Sequence, residues 1–134
     1  MSFSPKFSIG QIISIDELKA EFQVGNCGSI RKSTENECLV LISNHTSKTK
    51  EYKDNWQGDI FYYEGMSIKD KKLQGQNKAL AENALPAYLF EVLKNKEYTY
   101  QGQVKLAGEY EIQEITCKDG TTKDIIIFPL KKVN

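Results

Sequence analysis

Asp54 stands two residues after Tyr52 and two before Trp56, and the three lead into a run, Gly58 to Tyr63, that ends in a tyrosine doublet. Aromatic faces beside a fixed hydrogen-bond acceptor are what a pocket for a planar, amino-bearing ring requires. A carboxylate accepts an exocyclic amino proton, and it disfavours a ring that shows a carbonyl at the same edge. The bland alternatives are concrete. Asp in the string KDNWQG suits an ordinary turn, and a lone tryptophan such as Trp56 suits a core anchor.

Other chemistry is sparsely written. His45 is the only histidine and lies in a Ser-Asn-His-Thr string without a nearby cysteine, so it builds neither a zinc nor a nuclease centre by itself and reads as a surface residue or a phosphate contact. There is no glycine-rich nucleotide loop and no G-x-S-x-G elbow. The expectation is a domain that is itself non-catalytic and carries no metal or cofactor. Cys27, Cys38 and Cys117 are odd in number and lack Cys-x-x-Cys spacing, which points away from a disulfide framework and towards a reducing, cytoplasmic setting. No apolar run has the length of a membrane span.

The 134 residues amount to one domain, read as 1–134 and open to being part of a longer protein, and 40% hydrophobic content is enough for a single core. Lys and Arg together equal Asp and Glu at 18 each, so no global basic field announces nucleic acid. Residues 48–78 carry seven lysines, including Lys48, Lys50, Lys53, Lys71, Lys72 and Lys78, against five carboxylates. That bias fits a phosphate track or a solvated polar face equally.

The elements that must position these groups are mostly strands. Ile9 to Ile15 alternates as a half-buried strand, and Ser14 with Glu17 forms a capping box for a short helix, DELKAEF. The run CLVLIS is apolar on both faces and predicts a central strand. In the strand Gly58 to Tyr63, Ile60 and Tyr62 share one face while Phe61 and Tyr63 share the other. Asn77 to Asn83 favours a short helix that stops before Leu85-Pro86. Strands follow at AYLFEVL, YTYQGQVKL, EYEIQEI and KDIIIFPL, the last entered through a Lys118-Asp119-Gly120 turn. Pro129 is expected to end that strand or lie at its edge. The sum is a strand-rich α+β fold, a curved sheet or partly open barrel with two short helices.

The order of these pieces resembles the SRA (SET- and RING-associated) family, of PUA-like fold. The pieces are the turn from Gly25 to Gly28, the strand Cys38 to Ser43, Asp54, the segment Gly58 to Gly65, Lys72-Leu73, and Asn77-Lys78-Ala79-Leu80. The resemblance implies recognition of a modified cytosine in double-stranded DNA, flipped into a pocket where Asp54 reads the base edge. Tyr63 and Tyr52 would stack on the base, with Trp56 as roof or anchor. It also implies backbone and flanking contacts from Gly28, Ser29 and Arg31, from Lys48, Lys50, Lys53, Lys71 and Lys72, and from Gln76, Asn77 and Lys78. The closest flavour is the reader module of modification-dependent, HNH-type restriction endonucleases, with the nuclease in an attached domain. One departure is visible. Only MSIKDK separates Gly65 from Lys72, so the long finger that fills the gap left by a flipped base is absent or very short, and Met66 or Ile68 is left as a small wedge. The rival readings are a PUA-like domain binding RNA or a small ligand, and a protein-interaction module.

Overall fold

A computed structural model describes residues 4–25, 28–47, 52–83 and 85–133. Lys48 and Lys50 lie outside them. The chain opens with β1 (Ile12–Ile13) and α1 (Ile15–Phe22), followed by β2 (Ile30–Ser33), β3 (Cys38–Asn44), β4 (Asn55–Gln57) and β5 (Ile60–Glu64). Then come α2 (Gly75–Ala81), β6 (Ala87–Lys94), β7 (Glu97–Leu106), β8 (Glu111–Thr116) and β9 (Thr122–Lys132). The expected capping box forms: the Glu17 amide donates to Ser14 Oγ, and the Ser14 amide donates to the Glu17 carboxylate, both at 3.1 Å. Two amides that a helix start leaves without partners are thereby satisfied, and Leu18 and Phe22 point together into the core. No described helix is long and apolar enough to cross a membrane.

The strands form one mixed sheet along the path β2-β3-β6-β7-β9-β5-β4, with β1 beside β7 and β8 beside β9. Among the described residues only β3 and β6 run parallel. Their apolar runs have no polar face because both sides are covered: Cys38, Val40, Ile42, Tyr88, Phe90 and Val92 pack with α1, while Leu39, Leu41 and Leu89 pack with Phe61, Tyr63 and Phe128. Alternation along a strand divides the residues between these two clusters.

The second cluster lies inside a curl. Tyr63, on β5, donates its hydroxyl to the Ile42 carbonyl at 3.2 Å and to the Ser29 carbonyl at 2.8 Å. Since β3 and β5 are separated by β6, β7 and β9 along the sheet path, such contact requires the sheet to bend back towards itself. The curved-sheet expectation holds.

Three local expectations need correction. The strand expected over Ile9 to Ile15 shrinks to Ile12–Ile13, because Ser14 caps α1 and Ile15 is already helical. Asn55–Gln57 reads as loop in the sequence, yet it pairs with β5, placing Trp56 opposite Phe61 through a turn in which Gly58 has φ +65°. Pro129 neither ends β9 nor sits on an outer edge. It lies where β9 changes neighbours, between Ile127, the last residue paired with β8, and Leu130, the first of the pair with Leu106 of β7. Its missing N–H falls at that change-over, and its carbonyl accepts from the Ala107 amide at 2.8 Å.

Gly65 closes β5 without room for a side chain. A Cβ built there would lie 2.5 Å from Asn77 Oδ1 and 2.7 Å from the Phe128 ring. Overpacking of this kind costs about 1–3 kcal/mol. Gly65→Ala is therefore expected to lower the urea midpoint with an unchanged m-value, and an unaltered midpoint would show that the turn yields freely.

Candidate functional site

Asp54 is only 6% exposed, so its carboxylate must be held by partners. One oxygen accepts the Ser43 hydroxyl at 2.6 Å, and the other accepts the Glu64 amide at 2.8 Å. Ser43 belongs to β3 and Glu64 to β5, so the acid ties the two strands that the sheet path keeps apart.

A second set of bonds continues from Ser43. Its Oγ lies 3.3 Å from His45 Nε2, which sits 2.8 Å from Glu91 Oε2 on β6. The other Glu91 oxygen accepts the Trp56 indole N–H at 2.9 Å. Ser, His and a carboxylate invite comparison with a hydrolytic triad, but the geometry is wrong for one. In a triad the hydroxyl and the acid address opposite ring nitrogens; here both face Nε2, and the Ser43 proton goes to Asp54. With its proton on Nε2, His45 donates to Glu91, and the ensemble orients Trp56 and the Asp54 loop. No described group of His, Cys, Asp or Glu is placed to hold a metal ion.

Sequence reasoning missed Ser43 and Glu91 and left His45 as a surface residue or phosphate contact. The signal for Glu91 was present. A carboxylate inside the apolar run AYLFEVL is buried by its neighbours, and a buried charge demands donors; Trp56 and His45 are those donors.

Of the residues expected in the base pocket, Asp54 and Tyr52 come together, with Lys53, around a recess of about 30 Å³ that Asn44, His45 and Ser47 complete. That is about the share of one water molecule. Burial foremost, and then the neighbouring Asp54 charge, raises the Tyr52 hydroxyl above its ordinary pKa. Trp56 takes the anchoring role: its ring lies 4.8 Å from that of Phe61 and its N–H is spent on Glu91.

Tyr63 is 0% exposed, and burial pushes its pKa well above the ordinary tyrosine range. Its ring offers no face on which a base could stack, which corrects that expected role. The physical reason is its place on the inner face of β5, beside Phe61. Asn77 also changes role. At 3% exposure it brackets Met66, accepting from the Met66 amide and donating to the Met66 carbonyl, both at 2.8 Å, so its amide is not presented to a flanking strand. Met66 and Ile68 pack against the inner cluster instead of projecting as a wedge.

Gly28 and Ser29 line a shallow cleft of about 250 Å³ with Glu64, Gly65, Met66 and Ser67. Gly28 has φ +84° and faces Met66, so the turn needs a glycine there. Arg31 braces the same turn through the Gly28 carbonyl at 3.0 Å and the Gly25 carbonyl at 3.3 Å. Lys53, Lys71, Lys72 and Lys78 are exposed and Gln76 is half-buried.

No family model and no curated protein matches the chain. Solved structures do. A structure of the sulfur binding domain and SRA domain of ScoMcrA with phosphorothioated DNA superposes with TM-score 0.73 at 12% identity, over 96% of this chain and 40% of that one. The chain has the fold of an SRA domain. The DNA modification-dependent restriction endonuclease AspBHI matches with TM-score 0.66 and 16% identity, covering 88% of this chain and 37% of that chain. KRYPTONITE, in complex with mCHG DNA, matches with TM-score 0.64 and 19% identity over 96% and 32%. The SRA fold here thus spans well under half of each of these longer proteins.

Within this SRA fold the polar chain predicts a measurable coupling. Glu91→Ala leaves the Trp56 and His45 donors without their carboxylate and is expected to cost on the order of 3 kcal/mol. Because Trp56 is the only tryptophan, its emission should shift in the same variant. Unchanged stability and emission together would disprove the Glu91 linkage.

Proposed function

We propose that this domain reads a modified base, 5-methylcytosine or a related modified cytosine, in double-stranded DNA, as the recognition module of a modification-dependent restriction system. The observation that carries the reading is a buried carboxylate, Asp54, beside Tyr52 at a recess on an SRA fold. ScoMcrA and KRYPTONITE, which share that fold, are seen with phosphorothioated and mCHG DNA respectively. Asp54 accepts the exocyclic amino group of the flipped base; a carboxylate has about four acceptor sites, enough for a base amino group alongside Ser43 and Glu64. Tyr52 supplies the stacking face, worth ~1–3 kcal/mol, while Tyr63 holds the wall behind it. A recess of one water's volume must widen to admit a base, so the Tyr52 loop moves on binding. Phosphates fall to Gly28, Ser29, Arg31, Lys53 at the recess and the exposed Lys71 and Lys72, with Gln76 and Lys78 towards the flanking strand; Lys48 and Lys50, outside the described residues, are assigned the same role from the sequence alone. The module acts in the cytoplasm, with cleavage supplied by an attached or partner nuclease.

Equal totals of positive and negative charge favour one rival, an RNA or small-ligand domain using the same recess. Titration of identical duplexes carrying cytosine, 5-methylcytosine, 5-hydroxymethylcytosine or phosphorothioate, with RNA of the same sequence, separates the two. The modified cytosine is expected to bind more tightly by ~1–3 kcal/mol, and 2-aminopurine beside it should brighten as the base unstacks. Asp54→Asn, which keeps the side-chain shape, is expected to erase that preference while retaining affinity for unmodified duplex. Equal affinity for every duplex, or tighter binding of RNA, sinks the proposal.

A further inference from the structure

Beyond the Asp54 recess, a cleft of about 630 Å³ is lined by Trp56, Gln101, Lys105, Lys131 and Lys132, with Asp59 as the one carboxylate in its lining. Lys105 and Lys131 are direct partners across the β7–β9 ladder. Like charges placed opposite each other on a ladder are destabilising, and among the described residues neither they nor Lys132 has a carboxylate at ion-pairing distance. Lys132 Nζ lies 5.6 Å from the centre of the Trp56 ring, an attraction that holds the ammonium in place. Trp56 is itself fixed by Glu91 and Phe61. The result is a cleft lined by three lysines and Gln101, one of whose ammonium groups, that of Lys132, is placed over Trp56, around a volume large enough for a polyanion.

We propose that this cleft is a phosphate-ester site, distinct from the recess at Asp54. Lysine binds phosphate as a point charge, and an anion placed here offsets the repulsion that the Lys105–Lys131 pair imposes on the empty sheet. The phosphate is either a phosphodiester of the nucleic acid backbone or the polyphosphate of a free nucleotide. The site does not depend on a base being read at Asp54.

The test uses the full chain and its Lys105→Gln/Lys131→Gln/Lys132→Gln variant, with sodium tripolyphosphate and an unmodified DNA duplex as probes. Tripolyphosphate is expected to bind the parent with a saturable heat by calorimetry and a change in Trp56 emission. The triple variant should bind it at least about tenfold more weakly. Lys105→Gln alone, which leaves the Trp56 contact intact, should show a smaller loss. If backbone phosphates fill the cleft, the slope of log K for duplex against log salt should flatten by about two to three in the triple variant. An unchanged slope with lost tripolyphosphate binding assigns the site to a free phosphorylated molecule. No tripolyphosphate binding by the parent, with the same slope in both proteins, overturns the site. Loss of preference for modified cytosine without these changes bears only on Asp54.

Discussion

The seam between β3 and β5 is the constraint on which the rest of the molecule depends. No ladder joins these strands among the described residues, so the curl of the sheet is held at this point by side chains reaching carbonyls and amides: Tyr63 to Ser29 and Ile42, and Asp54 to Ser43 and Glu64. Buried polar groups cost several kcal/mol when they lack partners and little when satisfied. The seam is thus stable only as a complete set. The described residues contain no buried side-chain polar atom without a partner, which is the condition for a seam of this type to specify one curvature.

The proposed site uses the same atoms. Asp54 closes the sheet and, in the proposed function, meets the base, so the acid is held in place by the fold before any ligand arrives. Such preorganisation lowers the ordering cost of binding. Side-chain stitching also has a mechanical consequence that a ladder does not. A recess beside it can widen by moving a loop, without breaking a row of backbone hydrogen bonds.

Much of this was legible in the sequence because local rules dominate there. The α1 capping box, the two-sided burial of CLVLIS and the Asp119-Gly120 hairpin all rest on residues close in the chain, and each appears where expected. What escaped was the partnership of residues far apart. Tyr63 occupies a position where an aromatic could line a pocket or a core, and alternation along β5 says only that it shares a face with Phe61; which face is inside depends on β9 and β3. Asn77 likewise reads as an exposed helix-start amide until the packing of α2 brings it to Met66. His45 and Glu91 are 46 residues apart in sequence, so no local pattern links them. Glu91 alone gave a warning, by being charged in an apolar run.

The parallel pairing of β3 with β6 has a kinetic side. Leu39 meets Ala87, and everything between the two strands, including β4, β5, α2 and the Asp54 recess, forms one long crossover. Closing such a loop must precede the contacts that reward it, and pairings of high sequence separation form slowly. The local pieces, α1 and the β8–β9 hairpin, carry no such delay. The crossover that carries the Asp54 recess therefore belongs to the late-assembling part of the chain. The β3–β6 pair at the centre of the sheet and the recess within its crossover are then gained in one closure.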